Sequence, residues 1–515
     1  MSERISSPIH DTPLGLLHPY WARKPMNIIE LIVRELSAPG ELVVDPFMGS
    51  GTIPFTAILS GRDAVGSDIS PLSQYLAKAT LQLIEGKTLL VEELERILSD
   101  HAANTEGWYR LGDGSVIERS RYSVNGTYKG GEFTLIPTET IIKVKKGGKW
   151  TGRRSLPADS PLLCEREVSV KDQRIVNFNE IALSPNSRIA IPEGALLAHY
   201  FTPENQASIN EYLALVAKSP LVDDFGEALK LPLSAALPML RLSDKKASSQ
   251  WPYWRPKTNL TSRNPIMVFK SKLDTIKKFL AWSSRFDNAQ VGSFNIFDVA
   301  AQDMTLGHLD RSARLVLTDP PYGDQVPYLE YANLWIPILG LETPHDAANK
   351  ELVVSNSSDK RDVTAGYQKN LSKSLSVCID LVGKQGIVAW FYQDHALSNW
   401  QHLYREARSR GFVVQSVIAL PKQRRSLKTI TSPHRTLDGD LLVVFCSEQD
   451  SESQRRVRRL TQSISESLEP GGLFAAYAKF LSQALQDGSI MEYPGTCRTV
   501  EDAIKIKEVD NVLAS

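Results

Sequence analysis

The sequence has few cysteines and no long apolar run, and these absences exclude several classes of protein. Its four cysteines lie far apart and form no Cys-x-x-Cys pair, which argues against a zinc ribbon and favours free thiols in a reducing compartment. No stretch approaches the ~18 consecutive apolar residues of a membrane span, and the first residues lack the apolar core of a signal peptide. We therefore expect a cytoplasmic protein with no metal site and no membrane segment.

The chain also lacks an excess of charge of either sign. Lys+Arg and Asp+Glu both number 59 among the 515 residues, so the formal net charge is zero. A nucleic-acid partner would therefore have to be held by local basic segments. The length and the hydrophobic content of 42% predict two or three globular domains.

An α/β pattern begins near residue 41 and is then interrupted. ELVVDPF (41–47) predicts a buried strand, IPFTAILSG (53–61) a helix and DAVGSDIS (63–70) the next strand. The alternation resumes only at 294 and continues to 447. This spacing predicts a doubly wound parallel sheet that is split by an insertion of roughly 220 residues, which must carry structure of its own.

The turn after the first strand lacks the lysine of a phosphate-binding loop. Gly49 and Gly51 can adopt positive φ and let a ligand approach the backbone, and Asp68 ends the next strand, where an acid can accept ribose hydroxyls. The turn is neither Gly-Lys-Ser/Thr nor GxGxxG. The pattern favours a nucleoside cofactor without phosphates, and a plain tight turn is the structural alternative.

The second candidate site is the Asp-Pro-Pro-Tyr corner at 319–322, which follows the apolar run RLVLT. The Asp319 carboxylate and the Pro320 carbonyl can accept the two N–H bonds of a nucleobase amine, which favours the pyramidal form with a free lone pair. Tyr322 offers a face for stacking worth ~1–3 kcal/mol, and the prolines make the corner rigid. A turn followed by a buried tyrosine is the alternative.

Together, DPFMGSGT (45–52) and TDPPY (318–322) resemble the amino-group DNA methyltransferases that use S-adenosylmethionine. The segment 18–52 resembles their motif X running into motif I, and 319–335 resembles a subgroup of large adenine-specific DNA methylases. The resemblance implies a class I, Rossmann-like methyltransferase with a seven-stranded sheet. It also implies the cofactor S-adenosylmethionine and methyl transfer to the N6 amine of an adenine flipped out of duplex DNA.

The resemblance further implies roles for individual residues. Lys24 and Pro25 would lie near the methionine part of the cofactor, Asp68 at the ribose and Asp303 near the cofactor adenine. The residues that would bind and activate the target base are Asp319, Pro320, Pro321 and Tyr322. The complete set implied for the cofactor is Lys24, Pro25, Asp45, Pro46, Phe47, Gly49, Gly51, Thr52, Asp68 and Asp303.

We predict a catalytic domain split between 1–82 and 291–447, with an inserted α+β target-recognition region at 83–290 and a helical C-terminal extension at 448–515. Within the insert, strand-like runs predict a β-rich part at 107–195, and helical periodicity predicts a helical part at 203–285. No chemistry is assigned to the C-terminal extension.

Three segments are candidates for DNA contact because they combine cations with aromatic residues or lack acids. KVKKGGKWTGRR (143–154) is either a contact or a solvated hairpin, and WPYWRPKTN (251–259) either lines a base channel or packs in a core. PKQRRSLKTITSPHR (421–435) follows a strand expected to run parallel to the one before Asp319, so it should open on the same edge. The predicted contacts are Lys143, Lys145, Lys146, Lys149, Arg153, Arg154, Trp251, Trp254, Lys422, Arg424, Arg425, Lys428 and Arg435.

Several alternatives remain open at this stage. The same corner occurs in RNA methyltransferases that act on guanine N2 or adenine N6, and cytosine-N4 DNA methyltransferases are close relatives. An aspartate at the head of the tetrapeptide is more typical of adenine-N6 enzymes, and the motif-X-like start favours DNA. Outside the class, the chain could be a catalytically silent DNA-binding module. Partner subunits of a restriction or defence system are a further expectation. His395 and His434 lack metal-ligand spacing to an acid or cysteine, and His18 is left out of the catalytic set because a lone histidine is usually structural.

Overall fold

The structure is a computed structural model. It describes residues 12–126, 133–146, 149–164, 175–186, 189–243, 254, 259–286, 291–322, 327–353, 364–421, 439–468 and 472–513.

The described strands and helices alternate as expected at both ends of the chain. The strands are β1 (Leu42–Asp45), β2 (Asp63–Ser67), β3 (Val116–Gly126), β4 (Phe133–Lys146), β5 (Lys149–Pro157), β6 (Asn259–Arg263), β7 (Phe294–Phe297), β8 (Leu315–Thr318), β9 (Ile387–Phe391), β10 (Phe412–Pro421) and β11 (Gly439–Ser447). The α-helices are α1 (Pro13–Leu16), α2 (Met26–Leu36), α3 (Thr52–Leu59), α4 (Pro71–Thr105), α5 (Pro161–Cys164), α6 (Pro203–Ala217), α7 (Val222–Leu240), α8 (Pro265–Ser283), α9 (Tyr328–Tyr331), α10 (Ile336–Leu339), α11 (Ala347–Lys350), α12 (Thr364–Val382), α13 (Leu397–Ser409), α14 (Ser451–Ser465), α15 (Gly472–Asp487) and α16 (Val500–Leu513). Short 3-10 turns lie at Glu106–Trp108, Leu197–Tyr200, Ser284–Phe286, Ala301–Asp303, Leu306–His308, Ala332–Leu334, Gly383–Gln385 and Ser489–Met491.

The larger sheet has seven strands in the order β10-β11-β9-β8-β1-β2-β7. The strands pair in parallel except for β11, which is antiparallel to both of its neighbours. The chain runs outward from β1 to β7 and then returns to β8 on the other side of β1, so the strand order reverses between β1 and β8. Ligands of open α/β sheets bind at this position, beyond the carboxyl ends of the strands. The fold is the predicted Rossmann-like methyltransferase sheet with an insertion.

The central strands are apolar throughout because helices cover both faces of the sheet. All four residues of β1 and of β8 are buried. Val43 and Leu315 belong to the core on one face, which contains the buried sides of α2, α3 and α14. Val44 and Val316 belong to the core on the other face, beneath α12, α13 and α15. Strands buried on both faces read as continuous apolar runs, which is why they were visible in the sequence.

The insert is joined to the seven-stranded sheet by one long helix. α4 runs from Pro71 to Thr105, with a local break at Lys87, where φ is +36°. The boundary predicted at 82–83 therefore falls inside a helix. Residues of α4, α7 and α8 share one continuous apolar core with α2 and α3, which cover the seven-stranded sheet. The insert is thus packed onto that sheet rather than connected to it only by a flexible linker.

The second sheet is antiparallel, with strand order β5-β4-β3-β6. Its first three strands come from the part predicted to be β-rich, but β6 lies within the segment predicted to be helical. β6 pairs with β3, and Arg119 lies opposite Arg263 in that register. The prediction of an entirely helical 203–285 part is therefore corrected by this short strand, which is too polar to stand out between two helices.

The C-terminal extension is helical, as predicted, and it completes a core. α15 packs against β10, and Phe474, Tyr477 and Leu481 are buried in the core on that face of the sheet. Among the helices that the structure describes, none is long and apolar enough to cross a membrane.

Candidate active site

The glycine turn after β1 requires glycine at two positions. Gly49 has φ +51° and Gly51 has φ +80°, and α3 begins at the next residue. A Cβ atom on Gly49 would lie 3.0 Å from the ring of Tyr20, and one on Gly51 would lie 2.9 Å from the ring of Phe55. Both the backbone conformation and the available space therefore exclude a larger residue.

Asp68 follows β2 and holds the glycine turn in place. Its Oδ2 accepts a hydrogen bond of 2.9 Å from the backbone N–H of Gly49, and its Oδ1 accepts one of 2.8 Å from Ser70. Burial raises the pKa of Asp68 to about 6, although these hydrogen bonds oppose the shift. The carboxylate thus joins the ends of β1 and β2, where the sequence placed it.

Asp45 connects β1 to β8. It is 1% exposed, and its Oδ1 accepts hydrogen bonds from the Thr318 hydroxyl at 2.6 Å and the Phe47 N–H at 3.1 Å. Burial raises the pKa of Asp45 to about 8. Because Thr318 precedes Asp319, this contact fixes the distance between the glycine turn and the Asp-Pro-Pro-Tyr corner.

The carboxylate of Asp319 is contacted from two sides. Its Oδ2 lies 2.6 Å from Nζ of Lys24, and its Oδ1 accepts a hydrogen bond from the Tyr322 hydroxyl. The same ammonium lies 3.8 Å from Oδ1 of Asp440, at the start of β11. Burial raises the pKa of Asp319, and the charge of Lys24 opposes that shift. The corner therefore holds a buried acid with a lysine as its counter-ion.

One cavity of about 810 Å³, including the space at its mouth, joins the two candidate sites. Its walls include Gly49 and Asp68 from the first site and Asp319 from the second. The predicted residues that line it are Lys24, Asp45, Pro46, Phe47, Gly49, Thr52, Asp68, Asp319 and Pro321. Pro25, Gly51, Pro320 and Tyr322 adjoin these residues in the chain, and Asp303 adjoins the lining residue Gln302, but these five are not among the residues that line the cavity.

Asp303 does not face the cavity directly. Its carboxylate forms ion pairs of 3.0 Å with Lys350 and with Lys373, while the neighbouring Gln302 lines the cavity. The Gln302 side chain donates a 2.8 Å hydrogen bond to the carbonyl of Lys350. Asp303 is therefore placed to organise this wall, and its proximity to a cofactor adenine remains a prediction.

Sequence reasoning missed an aromatic wall and a second buried acid. The rings of Tyr20 and Tyr328 stack at 5.9 Å with an interplanar angle of 24°, and Trp21 packs against Tyr328. Glu351, which accepts a 3.0 Å hydrogen bond from the Leu329 N–H, also lines the cavity. The clustering of aromatic residues in HPYWARKP and VPYLEY was the available signal, since both segments flank predicted site residues.

The first basic segment forms the hairpin of β4 and β5. Arg153 pairs with Glu118 and is 62% exposed, and Arg154 lies 4.0 Å from Asp113 and is 52% exposed. Lys143 and Lys145 lie in β4 with Lys146, and Lys149 begins β5. The exposure of the two arginines is compatible with phosphate contact, which remains a prediction.

The structure corrects the interpretation of Trp254. Its side chain is only 2% exposed, and its ring packs edge-to-face on Tyr200 at 4.8 Å, with the Arg241 guanidinium 5.1 Å from the ring centre. It is a core residue of the insert and does not offer its face to a base, because a buried apolar ring is favoured over an exposed one. Trp251 lies outside the described residues.

The basic segment after β10 lies outside the described residues, apart from Pro421, but the strands that precede and follow it are described. β10 is antiparallel to β11, which is antiparallel to β9, and β9 is parallel to β8. β10 therefore runs in the direction of β8, as predicted, and Asp440 reaches the cation beside Asp319. The predicted contacts that fall in the undescribed part are Lys422, Arg424, Arg425, Lys428 and Arg435.

Of the three histidines considered in the sequence analysis, two have structural partners. His18 is buried, bonds the Ser234 hydroxyl at 2.8 Å and has its pKa lowered to about 3 by burial. His395 pairs with Glu501 at 2.6 Å, and His434 lies outside the described residues. Within the described ranges no group of three or more His, Cys, Asp or Glu residues could hold a metal ion.

The chain was compared with known proteins. Residues 3–79 match the model of a DNA methylase family. A DNA adenine methyltransferase of Escherichia coli K12, YhdJ, is 32% identical over 19% of this chain and 31% of its own length. The Type II methyltransferase M1.MboII of Moraxella bovis is 42% identical over 16% of this chain and 30% of its own length. The Type II methyltransferase M.MjaII of Methanocaldococcus jannaschii is 29% identical over 20% of this chain and 18% of its own length.

The matched segments span less than a third of the length of these relatives. No solved structure matches the chain. The family match covers the segment that runs from before α1 through the glycine turn into α4. The resemblance to the amino-group DNA methyltransferases that the motifs indicated is confirmed by these matches.

Proposed function

We propose that this protein transfers a methyl group from S-adenosylmethionine to the exocyclic N6 amine of adenine in DNA. One observation carries the proposal: a single cavity has the glycine turn with Asp68 in one part of its wall and Asp319 in another. A methyl donor and an amine bound at these two places would face each other. Holding two reactants in this way accounts for much of the acceleration of a transfer reaction.

The residues around the glycine turn fit a nucleoside cofactor. Gly49 lines the cavity beside Tyr20 and carries no side chain, so a ligand can approach its backbone from the cavity. Asp68 would accept hydrogen bonds from the ribose hydroxyls, and the segment 300–302 would flank the adenine. The turn has no phosphate-binding lysine, which agrees with a cofactor that carries no phosphate.

The corner at Asp319 fits an exocyclic amine. The Asp319 carboxylate and the Pro320 carbonyl would accept its two N–H bonds and so free the nitrogen lone pair. S-adenosylmethionine would supply a sulfonium methyl group. As the nitrogen–carbon bond forms, the carbon–sulfur bond would break, and the electron pair of that bond would stay on sulfur. The methylated amine would then release one proton to water. The chain's own contribution is position and charge at Asp319.

Access to a paired base requires that the base leave the duplex. The cavity wall contains aromatic rings, among them Tyr20 and Tyr328, on which an extruded base can stack. The exposed cations Arg153 and Arg154 would contact the phosphate backbone.

The test is methyl transfer by the purified chain. Incubation with S-adenosylmethionine labelled in its methyl group and unmethylated DNA should label the DNA, and digestion to nucleosides should yield N6-methyladenine. N4-methylcytosine would reassign the base, and label in RNA alone would reassign the substrate. Absence of transfer to any nucleic acid would contradict the proposal.

The first variant prediction concerns Asp319. Asp319→Asn should lower kcat on the order of 10²–10³-fold, because the amide is a weaker acceptor than the carboxylate at the reacting centre. Cofactor affinity, measured by calorimetry, should change little. Asp310→Asn is the control, since Asp310 is an exposed acid before β8 that pairs with Arg311. Equal loss of rate in both variants, or loss of cofactor binding in Asp319→Asn, would contradict the assignment.

A further inference from the structure

The ammonium of Lys24 is enclosed by two carboxylates and two aromatic faces. Its Nζ lies 2.6 Å from Oδ2 of Asp319 and 3.8 Å from Oδ1 of Asp440. It also lies 5.3 Å from the ring centre of Tyr322 and 5.4 Å from that of Phe391. The side chain is only 6% exposed. Such surroundings stabilise a nitrogen that carries positive charge or N–H donors.

This position coincides with the one that the proposed function gives to the target amine. The amine must donate to Asp319 and lie near Tyr322, and Lys24 does both in this structure. The other Asp319 oxygen accepts from the Tyr322 hydroxyl. Each carboxylate oxygen thus already has a donor, and the Lys24 ammonium occupies the donor position at Oδ2, so an amine that takes this position must displace Lys24.

We propose that the Lys24 ammonium occupies the position of the target amine before DNA binds. It holds Asp319 ionised and oriented until the amine displaces it, and Lys24 then moves to Asp440. The inference rests on the proposed function and gives Lys24 a role at the base site, beyond the cofactor contact expected from sequence. Lys24 is thus a positioning residue. The displacement is small, because the ammonium already lies 3.8 Å from the second carboxylate.

Electrostatics explain why Asp319 needs a cation beside it before the amine binds. A buried carboxylate without a counter-ion takes up a proton, and a protonated Asp319 could not accept both N–H bonds as an anion. Burial raises the pKa of Asp319 and Lys24 counteracts this, while the two carboxylates raise the pKa of Lys24 against the effect of burial. The titratable groups that act on Asp319 or are acted on by it are Lys24, Asp45, Tyr322, Tyr328 and Asp440.

The activity test compares Lys24→Met with Lys24→Arg across pH. The methionine variant removes the charge at similar volume, so at the acidic end of the pH range its kcat should be roughly tenfold lower than that of the unchanged protein, and the gap should narrow as the pH rises and Asp319 ionises. Lys24→Arg keeps a cation and should retain the pH profile of the unchanged protein. A rate that falls equally at every pH, or a tenfold loss of S-adenosylmethionine affinity with an unchanged profile, would overturn the inference.

A second measurement does not depend on activity. Lys24→Met leaves Asp319 without its cation, and Asp319→Asn leaves Lys24 without its nearest anion, so each single variant should unfold at a lower denaturant concentration. The double variant removes both charges and should recover part of the loss, because contacting residues are energetically coupled. Strictly additive losses would contradict the pairing.

A variant of Asp440 tests the exchange of partners directly. Asp440→Asn removes the second anion, so Lys24 should leave Asp319 less readily and the KM for DNA should rise several-fold with little change in cofactor affinity. An unchanged KM would overturn the exchange of partners. If the unchanged protein methylates no nucleic acid, the proposed function fails, whereas an active protein with parallel pH profiles refutes only this inference.

Discussion

At the scale of single residues, the site depends on a few buried charges and on two glycines. The acids at the strand ends and the glycine turn after β1 were predictable from sequence, because they directly follow apolar runs that read as buried strands. Which partner each would choose was not predictable. Lys24 and Asp319 are 295 positions apart, and only the fold brings them within 2.6 Å. The undescribed cations after β10 likewise remain a sequence prediction.

The proposed cofactor role of Asp68 predicts a pH dependence of binding, because burial raises the pKa of this acid to about 6. Below that pH the acid is protonated in the folded protein and no longer accepts ribose hydroxyls as an anion. The affinity for S-adenosylmethionine should therefore fall as the pH drops through about 6. Calorimetry at about pH 5 and 7.5 measures this, with Asp68→Asn expected to bind weakly and with little pH dependence. A steeper fall in the variant than in the unchanged protein would contradict the role.

Gly49 offers a test of the turn with a built-in comparison. Gly49→Ala and Gly40→Ala both place a side chain at positive φ, which costs roughly 1–2 kcal/mol. Only at Gly49 does the new Cβ meet a ring, at 3.0 Å from Tyr20, whereas nothing lies within 4 Å of Gly40. We expect both variants to lose stability, measured by urea unfolding, and only Gly49→Ala to weaken cofactor binding. Equal binding by the two variants would show that the turn does not approach the cofactor.

At the scale of elements, the strands with continuous apolar runs were predicted well because they are buried on both faces. The C-terminal extension was predicted as helical but without any role, since its contacts are made by tertiary packing. In the structure, the hydroxyl of Tyr477 on α15 donates to the carbonyl of Asp394, next to the end of β9. Periodicity reveals that a helix has an apolar face, but it does not reveal what that face covers.

This contact continues towards the Asp-Pro-Pro-Tyr corner. The Tyr392 hydroxyl donates to Asp394 at 3.1 Å and lies 3.4 Å from the Tyr367 hydroxyl, which donates to the carbonyl of Pro321 at 3.4 Å. The ring of Tyr392 also packs edge-to-face on Tyr322 at 5.8 Å. These contacts lie on one face of the sheet and extend from α15 to the corner, so they are expected to keep the corner in position.

Tyr392→Phe tests this connection by removing one hydroxyl while the ring remains. The loss of one hydrogen bond of about 1 kcal/mol should lower kcat by roughly fivefold if the corner depends on it. Cofactor affinity should stay the same. Tyr404→Phe, in the same core but on α13, is the comparison and should leave kcat unchanged. A rate in Tyr392→Phe equal to that of the comparison would mean that the chain of hydroxyls serves packing alone.

At the scale of the whole molecule, the zero net charge and the packed insert limit where the proposed DNA contact can lie. With 59 cations and 59 anions there is no overall attraction to DNA, so any contact must come from patches such as the β4–β5 hairpin. The existence of a structured insert was predictable from its length, and its shared core with the catalytic sheet was not. Apolar faces on α4, α7 and α8 do not specify their neighbours in sequence.

Once a DNA-binding assay is in place, Arg153→Ala combined with Arg154→Ala should weaken binding to every sequence to a similar extent. The slope of log affinity against log salt should become shallower by about one for each phosphate that the protein no longer neutralises. Arg408→Ala combined with Arg410→Ala is a comparison, because these arginines are also ion-paired and partly exposed. An unchanged slope in the first pair would place the DNA elsewhere.

The position of the insert within the sheet has a consequence for synthesis of the chain. β1 pairs with β2 as soon as both leave the ribosome, but its other neighbour, β8, begins 270 residues after the end of β1, from Asp45 to Leu315. At ~5–20 residues per second that delay is roughly 15–50 s. During that time β1 has an open strand edge, and α4 and α7, which share the apolar core on one face of the sheet, are synthesised before β8. We therefore expect substitutions in that core to reduce the yield of folded protein in cells more than their effect on the finished molecule would suggest.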